Sequence, residues 1–394
     1  MPDRYDVVVI GAGIIGAACA YACARRGLSV AVLERGGLVS GATGSGEGNL
    51  LVSDKSPGPE LDLALRSLRL WRQLAAELPD RYGDFELEPK GGLMVARTAT
   101  GLAALHEFAA GQGAAGVTAE PVDPAGLRDL EPGLADGLTG GVYYPQDMQL
   151  MPARAAVVLL AAARGAGASV RLRTEVTSVR RDTAGRVTGV GTADGVIGAE
   201  HVVNAAGAWA GDVAALAEAA VPIGPRRGFV LVTEPVPPLV RHKVYVADYL
   251  ENVASGDADL QFSAVVEGTP SGTILIGATR ELVGFDPTPN PEAVRRLAYG
   301  AISLFPALAG IRAMRFYHGF RPFSPDHLPV IGADPRAPGL IHAHGHEGAG
   351  IGLAPITGEL VAQLLLGERP ELDMRPFSPA RFMTDEEEHV DAAA

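Results

Sequence analysis

The run Val7-Val8-Val9-Ile10 is apolar at consecutive positions and is closed by Gly11, which is how a strand buried on both faces reads. An Ala-rich helical stretch follows to about Arg26, and Gly27 suits the left-handed position just past a helix end. Leu28 to Leu33 is a second buried strand, ending in Glu34. The α/β pattern returns at residues 152–207, where Pro152 to Arg164 predicts a helix. There Ser169 to Arg173 and Thr174 to Arg180 read as strands, Val187 to Thr192 with Gly198 to Val203 as a small sheet, and Val202-Val203-Asn204 as a buried strand. It returns again in Leu328 to Gly332, Gly339 to Gly345 and the helix Pro355 to Leu366. The chain between is different. Gly91 to Ala96, Arg227 to Val232, Lys243 to Val246, Gln261 to Val266, Thr273 to Ile276 and Met314 to Phe320 read as strands. Pro59 to Leu78 is an amphipathic helix containing Trp71, Leu102 to Gln112 and Pro291 to Phe305 are further helices, and Leu127 to Pro132 reads as a turn.

The pattern therefore predicts an α/β (α+β) chain with a discontinuous Rossmann-like domain built from residues 1–84, 145–220 and 319–383. An antiparallel-sheet domain from 85–144 and 221–318 would roof it, and the acidic tail 384–394 is expected to be disordered.

Between the first strand and helix stands Gly11-Ala12-Gly13-Ile14-Ile15-Gly16, a G-x-G-x-x-G turn. Gly11 permits the tight turn, Gly13 lets a pyrophosphate approach the backbone, and Gly16 lets helix and strand pack closely. The helix start offers free N–H groups and the positive end of its dipole to phosphate. Glu34 follows Gly16 by eighteen residues, near the ~20 expected of an acid that accepts ribose hydroxyls. This motif alone leaves NAD and FAD open. The Gly/Ser/Thr-rich stretch from Gly36 to Leu50 reads either as a linker or as a loop wrapping a flat cofactor, with Thr43, Gly44, Ser45, Asn49 and Leu50 in reach of it. A nucleotide fold entered three times, with strand-rich insertions, points to FAD.

Composition narrows the function. The net charge of −13 argues against nucleic-acid and anionic-membrane partners. The three glycines and flanking charges of the Val7 to Ala24 run argue against a signal peptide, and no other run reads as long and apolar enough to span a bilayer. The two cysteines, Cys19 and Cys23, stand i,i+4 on the first helix as small packing residues, so a cytoplasmic location is expected.

Four stretches carry a family resemblance: the GAGIIG loop with Glu34-Arg35; Val203-Asn204-Ala205-Ala206-Gly207-Ala208-Trp209; Gly319-Phe320-Arg321-Pro322 running to Pro325-Asp326-His327-Leu328-Pro329-Val330-Ile331-Gly332; and Gly345-His346-Glu347-Gly348-Ala349-Gly350-Ile351-Gly352-Leu353-Ala354-Pro355. Together they resemble the D-amino-acid oxidase superfamily, in its glycine oxidase and sarcosine oxidase branch. The last stretch is also similar to the FAD subunits of hydrogen cyanide synthase and of opine and hydroxyproline dehydrogenases. The resemblance implies oxidation of a C–N bond next to a carboxylate, by hydride transfer to flavin N5. The imine then hydrolyses, and flavin reoxidation yields hydrogen peroxide or passes electrons to an acceptor protein. It places Arg321 on the substrate carboxylate, where a guanidinium makes a bidentate pair. It sets Gly345 to Gly352 along the flavin, with His346, Glu347, Gly348, Gly350, Ile351 and Gly352 as cofactor contacts and His346 near the ring. Arg35, Val176, Ala205, Gly207 and Trp209 join the cofactor set. Tyr245, Tyr249, Arg227, Phe262 and Val265 are roof candidates for packing or substrate contact.

Departures from the family are informative. The covalent sarcosine oxidases' cysteine matches about Gly319, so FAD is expected to be non-covalent. The second arginine of glycine oxidases matches Gly348, and the aromatic of the roof strand falls near Val265 or Val266. A pocket roomier than one for glycine is expected, suited to an N-substituted glycine or another secondary amino acid. The alternation His342, His344, His346 suggests one strand face, read as structural or flavin-facing rather than as a metal site. A dehydrogenase subunit feeding an iron–sulfur partner and a flavin-binding structural subunit are the alternatives, and a homo-oligomer stays open.

Overall fold

The opening apolar run forms strand Arg4–Ile10, the centre of an eight-stranded sheet. We describe residues 4–247 and 260–383 of the chain from a computed structural model. The roof candidate Tyr249 and the acidic tail lie outside the described residues. Arg4–Ile10 pairs in parallel with Val30–Glu34 on one side and Gly195–Asn204 on the other. Ser169–Leu172 and Leu340–His344 extend the parallel array, and Val330–Ala333 closes one edge antiparallel. The register aligns Ile10 with both Leu33 and Asn204, and Asn204 with His342. The carboxyl ends of four strands therefore finish level, and the loops leaving them open on one crevice, the place where parallel sheets bind ligands.

Helix Ile14–Ala24 covers one face of this sheet and packs against Pro152–Gly165 and the C-terminal helix Gly350–Leu365. Its small residues allow that approach: Ala17, Ala18, Cys19, Ala20, Ala22 and Cys23 are all buried. Both cysteines are free and unbridged.

The second eight-stranded sheet runs Ala313–Phe323, Gly224–Thr233, Ile274–Arg280, Gln261–Gly268, Lys243–Val246, Gly92–Ala96, Gly140–Tyr144, Glu120–Val122. Its neighbours are antiparallel except Lys243–Val246 against Gly92–Ala96. Helix Pro291–Leu304 covers its outer face through Ala293, Leu297, Ala301 and Leu304.

Several expectations need correction. Val187–Thr192 does pair with the near end of Gly195–Asn204, as expected, but that strand continues into the main sheet, so the two form no small sheet of their own. Residues 127–132 are not simply a turn, since helix Pro124–Leu130, capped by the Asp123 carboxylate, precedes Glu131. A domain boundary at residue 319 would cut strand Ala313–Phe323, which is continuous. The C-terminal helix begins at Gly350, with Pro355 inside it. Proline has no N–H for the Ile351 carbonyl, and the Trp71 indole N–H supplies the missing donor at 3.1 Å, with the Gly352 carbonyl at 3.2 Å. The stretch Glu347–Leu365 is long and apolar enough by length and composition to cross a membrane, contrary to the sequence expectation, and it packs against the first helix and Pro59–Glu77.

Candidate functional site

The glycine turn is built by contact as well as by conformation. Gly11 has φ +109°, and a Cβ there would lie 2.5 Å from the Ala205 carbonyl oxygen. A Cβ on Gly16 would lie 2.0 Å from the Gly11 carbonyl oxygen, so Gly16 serves helix packing and does not line the cavity. No side chain caps helix Ile14–Ala24 at Gly13, and the Thr43 hydroxyl accepts the Ile14 N–H at 3.0 Å. Glu34 accepts the Ala12 N–H at 2.9 Å and the Gly36 N–H at 2.7 Å. Its carboxylate thus fixes the turn while keeping acceptor positions for another ligand.

A cavity of about 620 Å³ extends from this turn along the strand ends to the second sheet. Gly11, Gly13, Ile14, Ile15, Glu34 and Arg35 line its near end, with Thr43, Ser45 and Asn49 from the loop. Val176, Ala205, Gly207 and Trp209 line its flank, where the Arg35 guanidinium sits 4.1 Å from the centre of the Trp209 ring. His346, Glu347, Gly348, Gly350 and Ile351 bring in the C-terminal loop, and Arg321 the far end.

Three other cofactor candidates pack behind it. Gly44 sits where a Cβ would lie 2.3 Å from the Val39 carbonyl oxygen, Leu50 is in the core, and Gly352 abuts Asn49 and Leu50. The roof candidates are displaced by strand alternation. Tyr245 is fully buried and bonds Ser53, and Val265 joins the same core. Phe262 fills the space over Gly300 of helix Pro291–Leu304. Arg227 pairs with Glu281 and Asp286. None of these four lines the cavity; Gly228, Val230, Ala278, Arg280, Gly319 and Pro322 do so in their place. Glu47, His344 and residues 174–177 also line it. Glu47 had a visible signal, an acid alone among glycines in Gly46-Glu47-Gly48.

The three histidines divide into two arrangements. His342 Nε2 hydrogen-bonds the Asp334 carboxylate at 3.0 Å, and its Nδ1 hydrogen-bonds His344 Nε2 at 2.8 Å. Burial opposes ionisation of Asp334, yet hydrogen bonds from His342 and Arg336 hold it below the usual carboxylate range. Thr357 donates to the Leu353 carbonyl, so its oxygen accepts from His346 Nε2–H at 2.9 Å. Burial pulls His346 down to about 3 and His344 well below the histidine range, so both are neutral near pH 7. The Nδ1 atom of His346 is then an acceptor. No cluster of histidine, cysteine and acidic side chains suited to a metal occurs among the described residues.

His344 Nδ1, His346 Nδ1, Asn49 Oδ1 and Glu47 Oε1 are buried without a hydrogen-bond partner among the described residues, and all four belong to cavity-lining side chains. A glycine cradle at a helix start, an elongated cavity and the unpartnered polar atoms of Asn49, His344 and His346 in its lining side chains fit a dinucleotide.

Arg321 fixes the far end. It stands opposite Arg226 in the sheet, and its Nη1 donates to the Thr279 carbonyl at 2.9 Å. A Cβ on Gly228 would lie 2.0 Å from that Nη1, and one on Gly348 would lie 3.8 Å from Nε. The guanidinium therefore lies in space left by Gly228, with Gly348 close by. Arg226 is spent elsewhere: it pairs with Glu347 at 3.4 Å and Gln261 at 2.9 Å. Glu347 also bonds His327 at 3.0 Å, which raises the imidazole above its ordinary value.

Comparison with known proteins agrees with this geometry. Residues 6–364 match the family model described as DAO, FAD dependent oxidoreductase. The chain is 34% identical to a glycine oxidase of Geobacillus kaustophilus, over 97% of this chain and 98% of the relative. It is 31% identical to the hydrogen cyanide synthase subunit HcnC of Pseudomonas aeruginosa, over 98% of each. The crystal structure of glycine oxidase from Geobacillus kaustophilus superposes with a TM-score of 0.88 at 31% identity, covering 97% of this chain and 100% of that one. That of L-proline dehydrogenase from P. horikoshii does so with 0.87 at 27%, covering 97% and 98%. With its glycine turn, split sheet and cavity accounted for, the chain belongs to the DAO family of FAD-dependent oxidoreductases.

Proposed function

We propose that this enzyme oxidises the C–N bond of a small amino acid, and that its preferred substrates are secondary amines such as N-substituted glycines or a cyclic imino acid. The observation that carries this reading is Arg321, a guanidinium on the cavity wall beside Gly228 and Gly348. It would take the substrate carboxylate in a bidentate, charge-assisted pair and so fix the α-carbon. The small side chains around it, Gly228, Ala278, Gly319 and Gly348, leave room for a substituent on nitrogen. FAD, held non-covalently, supplies the two-electron acceptor. The protein orients the substrate and excludes water, and neutral His346 offers an acceptor rather than a charge.

The likeness to glycine oxidase on one side and L-proline dehydrogenase on the other spans this substrate range. The likeness to HcnC, named as a subunit, supports a second reading in which electrons pass to a partner protein and not to dioxygen. The buried, unbridged thiols suit a cytoplasmic location. The test is kcat/KM for glycine, sarcosine and proline, measured with an artificial electron acceptor and again by peroxide release. Sarcosine or proline should exceed glycine by about tenfold or more, the scale of one or two methylenes in a fitted pocket. Glycine clearly ahead would overturn the substrate proposal, and peroxide formation by the purified chain alone would decide for the oxidase.

A further inference from the structure

Glu47 stands in the cavity wall between two glycines of the loop, on the side where the second sheet closes it. The residue is 9% exposed, and its Oε1 is buried with no hydrogen-bond partner among the described residues. The carboxylate lies against Gly277: a Cβ added there would be 2.4 Å from Oε1. Burial pushes the carboxyl up, while the charges of Lys243, Arg321 and Arg280 pull it down and that of Glu267 pushes it up. Lys243 pairs with Glu267 at 3.3 Å, and Glu267 also accepts the Gly48 N–H at 3.2 Å. Leaving a buried carboxylate oxygen unmatched costs free energy. Oε1 itself is sealed against Gly277, but the Glu47 side chain lines the cavity, so a donor there can meet the carboxylate, and the donor that best offsets burial carries positive charge.

We propose that Glu47 binds the amino group of the substrate and forms, with Arg321, a two-point clamp for an amino acid. This rests on the reading of Arg321 as the carboxylate anchor. The clamp matches the zwitterion: guanidinium to carboxylate, carboxylate to ammonium. It gives the acid of Gly46-Glu47-Gly48 a role at the cavity that it lines. It also makes the site selective, because an amine-free carboxylic acid would satisfy Arg321 and leave Glu47 unmatched.

The experiment compares two ligands that differ at one atom, sarcosine and (methylthio)acetate, in which sulfur replaces the amine. Binding is measured by anaerobic titration calorimetry on FAD-loaded enzyme reduced beforehand, so that no turnover occurs. Glu47→Gln keeps the size and removes the charge. It should weaken sarcosine by about tenfold or more, the scale of a charge-assisted hydrogen bond, and change (methylthio)acetate by less than about threefold. Glu47→Asp should retain part of the preference for sarcosine. Arg321→Ala should weaken both ligands. Equal effects of Glu47→Gln on the two ligands, or none on sarcosine, would overturn the clamp while leaving the Arg321 reading intact. Failure of Arg321→Ala to weaken either ligand would overturn that reading and the clamp with it.

Discussion

Asp147 illustrates how burial sets the chemistry of one residue. It is fully buried, accepts the Val52 N–H at 2.8 Å and bonds Ser53. Burial nevertheless lifts its carboxyl to about 7. The folded chain thus holds this proton over a range where the unfolded chain, near 4, has lost it. The stability this contributes is full below about pH 4 and is lost as pH rises toward 7. Asp147→Asn should flatten that segment of the Tm-against-pH curve; an unchanged slope between pH 4 and 7 would contradict the assignment. Residue identity alone could not reveal such a shift, because Ser53, Asp147 and Tyr245 meet only through long-range packing. The same holds for Glu47. Its place among glycines is visible in the sequence, but its approach to Gly277 depends on the pairing of distant strands. Arg321 and the glycine turn were legible because a motif of adjacent residues carries them.

At the scale of elements, the C-terminal helix is the piece that sequence periodicity places least well. Pro355 suggests a helix start, whereas the helix begins five residues earlier and brings Gly350 and Ile351 to the cavity. That displacement is possible because Trp71 reaches across from helix Pro59–Glu77 to the carbonyls of Ile351 and Gly352. Trp71→Phe would keep most of the apolar volume and remove the donor. We expect a loss of about 1–3 kcal/mol, seen as a Tm lower by several degrees in the holoenzyme. An unchanged Tm would show that the two carbonyls need no such partner. The roof strands teach a related lesson. Strand composition identifies Lys243–Val246 and Gln261–Gly268 as sheet, but a period of two hides which face meets the cavity. Tyr245 and Val265 turn to the core, and the roof is supplied by Gly224–Thr233, Ile274–Arg280 and Ala313–Phe323.

For the whole molecule, the sequence pattern conveys the alternation of two sheets and the return of the chain to the nucleotide fold. It does not convey that one strand, Gly195–Asn204, serves both a parallel and an antiparallel neighbour, or that Ala313–Phe323 runs unbroken from sheet edge to Arg321. The parallel partner of Gly195–Asn204 is the opening strand, and Ala313–Phe323 pairs with Gly224–Thr233, both across long stretches of chain where local propensity carries no information. The resulting division of labour is simple. The strand ends of the first sheet line one part of the cavity, and the second sheet presents a cation among small side chains at the other end. The central claim is that this cation anchors the carboxylate of an amino acid whose oxidation reduces the bound FAD. The most direct test is anaerobic mixing of the holoenzyme with sarcosine or proline while the visible flavin absorbance is followed. Wild type should bleach, and Arg321→Ala, still carrying FAD, should need about a hundredfold more substrate or fail to bleach, as expected when a carboxylate loses its charged partner. A wild-type flavin that no amino acid bleaches, or an Arg321→Ala enzyme with unchanged concentration dependence, would contradict the account.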